Sequence, residues 1–109
     1  MTKYIGLYMA PTAAVDKMVQ EMTPEISKQH TDSWQAWMDK HKAAMADPGA
    51  PLGKNKRVNS MGVSDTRNEV TGYSIVEAAS HDEAAAIFKD NPMLEMAEAY
   101  IDVLEVRPM

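Results

Sequence analysis

The sequence predicts one α+β domain of the ferredoxin-like, split βαβ type, with an antiparallel sheet that pairs with a second copy into a dimeric α+β barrel. Three observations lead there. The elements read in the order strand, helices, strand, strand, helix, strand. The chain has 109 residues, the length of one domain, and no linker-like stretch divides residues 1–109. The last strand is apolar on both faces, with Ile101 and Val103 on one side and Leu104 and Val106 on the other. A sheet with helices on one face only would leave the second apolar face bare, so a second sheet is expected against it.

Each element has its own signal. Tyr4-Ile5-Gly6-Leu7-Tyr8-Met9 is short, aromatic and in part β-branched, and Pro11 stops it, which makes it the first strand. Val15, Met18, Val19 and Met22 recur at the spacing of one helical face. Thr23-Pro24 then supplies an N-cap residue followed by Pro at the first helical position. The second helix that starts there is expected to run to about Met45, because Asp47-Pro48-Gly49-Ala50-Pro51 prevents continuation.

Arg57 to Val63 is expected as the second strand, Asp65-Thr66-Arg67-Asn68 as a hairpin turn, and Glu69 to Ala79 as the third strand. Ser80-His81-Asp82-Glu83 reads as a capping box, in which the Ser80 hydroxyl accepts from the Glu83 amide and the Glu83 carboxylate accepts from the Ser80 amide. Ala84, Ala85, Ile87 and Phe88 give the helix it opens an apolar face, and Asn91-Pro92 breaks that helix before a further turn through Met96. Tyr100 to Arg107 is the last strand, stopped by Pro108.

Composition narrows the function classes. Sixteen acidic against eleven basic residues give a formal charge of −5, with Lys54, Lys56 and Arg57 the only close basic group. Nucleic acid is disfavoured as a partner, because neutralising phosphates takes a concentrated positive surface. No apolar run approaches the ~20 residues of a membrane span, so no membrane partner is expected. The absence of Cys excludes disulfides and thiolate chemistry and fits a reducing, cytoplasmic setting. Ten Met residues serve as packing material or as an adaptable surface for a partner.

Several stretches resemble a known family. Gly72-Tyr73-Ser74-Ile75-Val76-Glu77-Ala78, Ser80-His81-Asp82-Glu83-Ala84, Asp90-Asn91-Pro92 and Glu105-Val106-Arg107-Pro108 are similar in order and spacing to the C-terminal half of YCII-related domains. Thr23-Pro24-Glu25, Trp34, Trp37 and Gly49-Ala50-Pro51-Leu52-Gly53 resemble a subgroup of that family. The resemblance implies a dimeric α+β barrel with a cleft between the sheet and the helices of each subunit. It does not select an activity, since the wider superfamily spans monooxygenases, lactone isomerases and haem-handling proteins. In better described relatives a His on the first long helix and an Asp after the second strand are suggested as an acid-base pair. The chain departs from that pattern: the His position falls near Met38, with His41 about one turn later, and the Asp position holds Ser60.

One constellation carries chemistry in its own right. His30, Trp34, Trp37, His41 and Ala44 are spaced by four, three, four and three residues, a single stripe on the long helix. Indoles stack on flat molecules and imidazoles exchange protons near neutral pH. The stripe therefore predicts a small organic ligand, with His41 as proton carrier and Trp34, Trp37 and His30 lining its pocket. Tyr73 is a candidate for the same cleft, where its phenol would pair with His41; the other reading is a Tyr packed between two sheets. The alternative is that the indoles are core anchors and the chain is a non-enzymatic homodimeric accessory or regulatory module. His30 and His41 lie eleven residues apart, about 16 Å along a helix, too far to share an ion, so neither a metal site nor a cofactor is expected.

Overall fold

Apolar alternation along β1 (Thr2–Met9) fixes the layer structure. In the computed structural model, which describes residues Met1–Met109, Tyr4, Gly6 and Tyr8 are buried while Ile5, Leu7 and Met9 are only partly covered. β5 (Val70–Ala78) repeats the pattern, with Gly72, Ser74, Val76 and Ala78 buried. These two strands form the centre of a four-stranded antiparallel sheet, joined by β2 (Met45–Pro51) and β6 (Tyr100–Glu105) in the order β2-β5-β1-β6. That is the strand order of a split βαβ domain, and the fold is ferredoxin-like α+β.

The buried face carries α2 (Pro24–Lys40) and α3 (His81–Ile87), whereas α1 (Thr12–Glu21) buries none of its residues. The core joins Tyr4, Tyr8, Trp37, Val76, Ala78, Ala84 and Phe88, with Trp34, Met38, Met45, Met93, Ile101 and Val103 packed around it. Gly6 makes room for the Phe88 ring, since a Cβ there would lie 2.4 Å from Cζ. Thr23 caps α2 as expected, its Oγ1 accepting from the Ile26 amide at 3.2 Å, with Pro24 at the first position. On α1, Val15, Met18 and Met22 are partly covered, but Val19 is 64 % exposed.

Three expectations are corrected. The long helix stops at Lys40 rather than Met45: His41 leaves helical geometry at φ −105°, and a 3₁₀ turn, Lys42–Ala44, follows. The second sheet strand is Met45–Pro51, the stretch whose Pro and Gly read as breakers. It is an edge strand with register shifts on both sides of Asp47, which is where Pro is tolerated. Gly49 adopts φ +75° and sits where a Cβ would come within 1.7 Å of the Tyr73 carbonyl oxygen, so no other residue fits.

The third correction is the hairpin. Residues 57–63 do not form one strand but turn back on themselves: β3 (Asn55–Asn59) pairs with β4 (Gly62–Thr66) in a separate two-stranded sheet. The turn lies at Ser60-Met61, where the Asn59 carboxamide oxygen accepts from the Met61 amide at 2.9 Å. Asp65 is a strand residue opposite Lys56, and Asn68 instead turns the chain into β5, accepting from the Val70 amide at 3.1 Å.

The capping box is half as expected. Ser80 Oγ accepts from the Glu83 amide at 3.1 Å, but the Glu83 carboxylate accepts from Ala79, one residue upstream of Ser80. Asn91 caps a second 3₁₀ turn, Pro92–Glu95, and β6 ends at Glu105, two residues short of Arg107. No helix is long and apolar enough to cross a membrane.

Candidate functional site

The inward stripe of α2 forms one aromatic row with the sheet. Tyr8 meets Trp34 edge-on at 4.9 Å between ring centroids, and Trp34 meets Trp37 edge-on at 6.0 Å. Trp37 continues the row to His41 at 5.4 Å and to Phe88 at 5.5 Å. Trp37 is 3 % exposed, with its indole N–H donating to the Ile87 carbonyl at 3.2 Å. It is the floor of the row, whereas Trp34 and His41 are only partly covered.

Beneath Trp34 lies a buried polar chain. Tyr8 Oη donates to Ser74 Oγ at 2.6 Å, and Ser74 Oγ donates to the Pro48 carbonyl at 2.7 Å. Asn91 Nδ2 approaches Tyr8 Oη at 3.5 Å. Burial pushes the Tyr8 phenol above its ordinary pKa, against the opposing effect of its Ser74 and Asn91 hydrogen bonds.

At the other end of the row His41 is tied down. Its Nε2 lies 3.0 Å from Asp90 Oδ1, and Lys40 forms an ion pair with the same carboxylate. The hydrogen bond from Lys40, joined by that from His41, pulls Asp90 down to a pKa of about 2. An ionised carboxylate only accepts, so Nε2 carries a proton directed at Asp90. The result is an oriented imidazole, 17 % exposed, at the rim of an aromatic layer.

The remaining sequence candidates fall elsewhere. His30 is partly covered and makes neither a hydrogen bond nor a ring contact with the row. Tyr73 is not opposite His41. It alternates with inward-facing Gly72 and Ser74, shares the open face with Leu7, and donates to Asp47 Oδ2 at 3.3 Å. His81 is exposed, with its Nε2 2.7 Å from the Val103 carbonyl and its ring 5.1 Å from Tyr4. Tyr8, Ser74 and Asp90 escaped sequence reasoning because no local spacing links them to α2; strand alternation places Tyr8 and Ser74 on the helix side, but Asp90 carries no such signal.

Two surface depressions are lined by no residue of α2. One, about 320 Å³, is lined by Leu52, Lys54, Asn55 and Asn68 at the base of the β3–β4 hairpin. The other, about 230 Å³, is apolar and lies between α3 and β6, with Phe88, Leu94, Tyr100 and Ile101 in its walls.

No family model matches the sequence. No curated protein matches it either. Among solved structures the chain is similar to 5-chloro-2-hydroxyhydroquinone dehydrochlorinase from Burkholderia phenoliruptrix AC1100, in complex with 2,5-dihydroxybenzoquinone, with a TM-score of 0.59 and 14% sequence identity. The match covers 98% of this chain and 95% of that one. At that identity the likeness is one of fold, and it agrees with the α+β architecture expected from the sequence.

Proposed function

We propose that the chain is a homodimeric, small-molecule-binding protein that performs cofactor-free acid-base chemistry on a flat organic compound held between α2 and the sheet. The observation that carries this reading is the oriented imidazole: Nε2 of His41 is engaged by Asp90 at 3.0 Å, and Nδ1 has no protein hydrogen-bond partner where the ring meets Trp37. Trp34 offers a face for stacking and Trp37 meets it edge-on from the core, while His30, four residues before Trp34 on α2, is the further candidate for ligand contact. Tyr73 lies on the other side of the sheet and has no part in this pocket. A reducing, cytoplasmic setting fits the absence of Cys.

The ligand class follows from the lining: indoles favour planar π systems, and an imidazole base favours an acidic O–H or C–H. The similar solved structure holds a hydroxylated quinone, which makes that compound a suitable first probe. Calorimetric titration with 2,5-dihydroxybenzoquinone should show saturable binding. His41→Ala and Trp34→Ala should each weaken it by about tenfold or more, with the thermal melt of His41→Ala little changed. Loss of stability in His41→Ala in step with any loss of binding would make the stripe structural.

A second reading, a non-enzymatic accessory or regulatory dimer, is favoured by one observation. Trp37 is sealed into the core, and the two depressions described above are lined by no residue of α2. Absence of binding by this probe and by related phenols would support that alternative.

A further inference from the structure

The β3–β4 hairpin is poorly accounted for by its own domain. It forms a sheet of its own, and its tip exposes Val58 by 76%, Met61 by 93% and Val63 by 66%. Val58 and Val63 are paired directly across the strands, so they make one apolar patch with Met61 at the turn. A two-stranded hairpin is marginal in water unless one face packs on something. The molecule is also drawn out, 44 × 37 × 19 Å with a radius of gyration of 15.2 Å, against ~13 Å for a 109-residue domain.

Charge indicates what covers it. Lys54 to Thr66 holds Lys54, Lys56 and Arg57 against Asp65 alone, a net +2 in a chain of −5, which leaves −7 on the rest. Lys56 is paired with Asp65, whereas Lys54 and Arg57 have no acidic partner in their own chain. The open face of the main sheet shows the opposite balance. By register it presents Ile5, Leu7, Ile75 and Leu104 together with Asp47, Glu77 and Asp102, against Lys3 as its one cation. Two such faces brought together confront like charges, which weakens association unless cations intervene.

We propose that the β3–β4 hairpin is an arm that reaches onto a second copy of this chain, setting Val58, Met61 and Val63 on the partner and bringing Lys54 and Arg57 to its acidic sheet face. This rests on the homodimer in the preceding reading and adds the element that clamps it. The arm covers its own apolar tip and supplies the cations that the stacked faces lack.

Sedimentation equilibrium of the full chain tests it, with circular dichroism as the control for folding. Wild type should be a dimer whose dissociation constant rises with NaCl. The Lys54→Glu/Arg57→Glu variant should raise that constant by about tenfold or more and flatten the salt response. Val58→Ser/Met61→Ser should weaken the dimer while leaving the salt response in place. Both variants keep the main sheet and helices intact, since the hairpin pairs only with itself. A wild-type dimer with both variants equally tight overturns the arm and leaves the dimer standing; a wild-type monomer at all concentrations overturns both.

Discussion

Asp90 is the residue on which the rim of the aromatic row depends. Lys40 and His41 both reach its carboxylate, and its pKa falls to about 2 from an ordinary 3.8. A depressed carboxylate stabilises the fold above its unfolded value, so this contribution is complete above about pH 4 and is lost as pH falls from 3.8 towards 2. The group is substantially exposed, and solvent screening keeps the effect below about 1 kcal/mol. Carboxyl-detected NMR should place the Asp90 midpoint near 2 in wild type and move it up towards 3.8 in Lys40→Ala; an unmoved midpoint would remove Lys40 from the account. Deeper in, Ser74→Ala leaves the buried Tyr8 hydroxyl without its 2.6 Å acceptor and should cost about 1–3 kcal/mol, most of it recovered in Tyr8→Phe/Ser74→Ala. Denaturant melts of the two variants check that cycle. Sequence spacing marked Trp34, Trp37 and His41 because they share a helix face; it did not mark Asp90, 49 residues away, because that contact is made by the packing of α2 against the turn after α3.

Helix signals were legible where the chemistry is local. Thr23 and Ser80 cap the helices they were expected to cap, because a side-chain oxygen three residues from a free amide acts within one turn. Thr23→Ala should therefore lower stability by about 1 kcal/mol in a thermal or denaturant melt. The second strand was hidden for the converse reason: Asp47-Pro48-Gly49 breaks a helix equally well whether a loop or a bulged edge strand follows, and only pairing with β5 distinguishes them. That pairing makes Gly49 critical. Gly49→Ala combines a φ of +75° with a Cβ clash against the Tyr73 carbonyl, and should cost more than about 3 kcal/mol. Hydrogen exchange should show Met45–Pro51 losing protection first; uniform loss across the sheet would contradict an edge-strand role. The hairpin was misread because turn residues occur at both 59–62 and 65–68, and their type alone does not choose between the two positions.

At the scale of the whole molecule, the split βαβ order was readable from element order, and the open sheet face was foreshadowed by β6. Its outward residues Leu104 and Val106 are 46% and 42% exposed, while inward Ile101 and Val103 pack on the core. What pattern alone did not show is that the aromatic stripe splits: Trp37 belongs to the floor, while Trp34 and His41 remain reachable. The methionines divide in the same way, Met38, Met45 and Met93 in packing and Met61 at the tip of the hairpin. The proposed function places a flat organic molecule between α2 and the sheet within reach of His41. A crystal structure of the protein grown with 2,5-dihydroxybenzoquinone tests it most directly. A planar ligand should lie against Trp34 with one oxygen at hydrogen-bond distance from His41 Nδ1; a closed interface between α2 and the sheet, with the ligand elsewhere or absent, would overturn the proposed function.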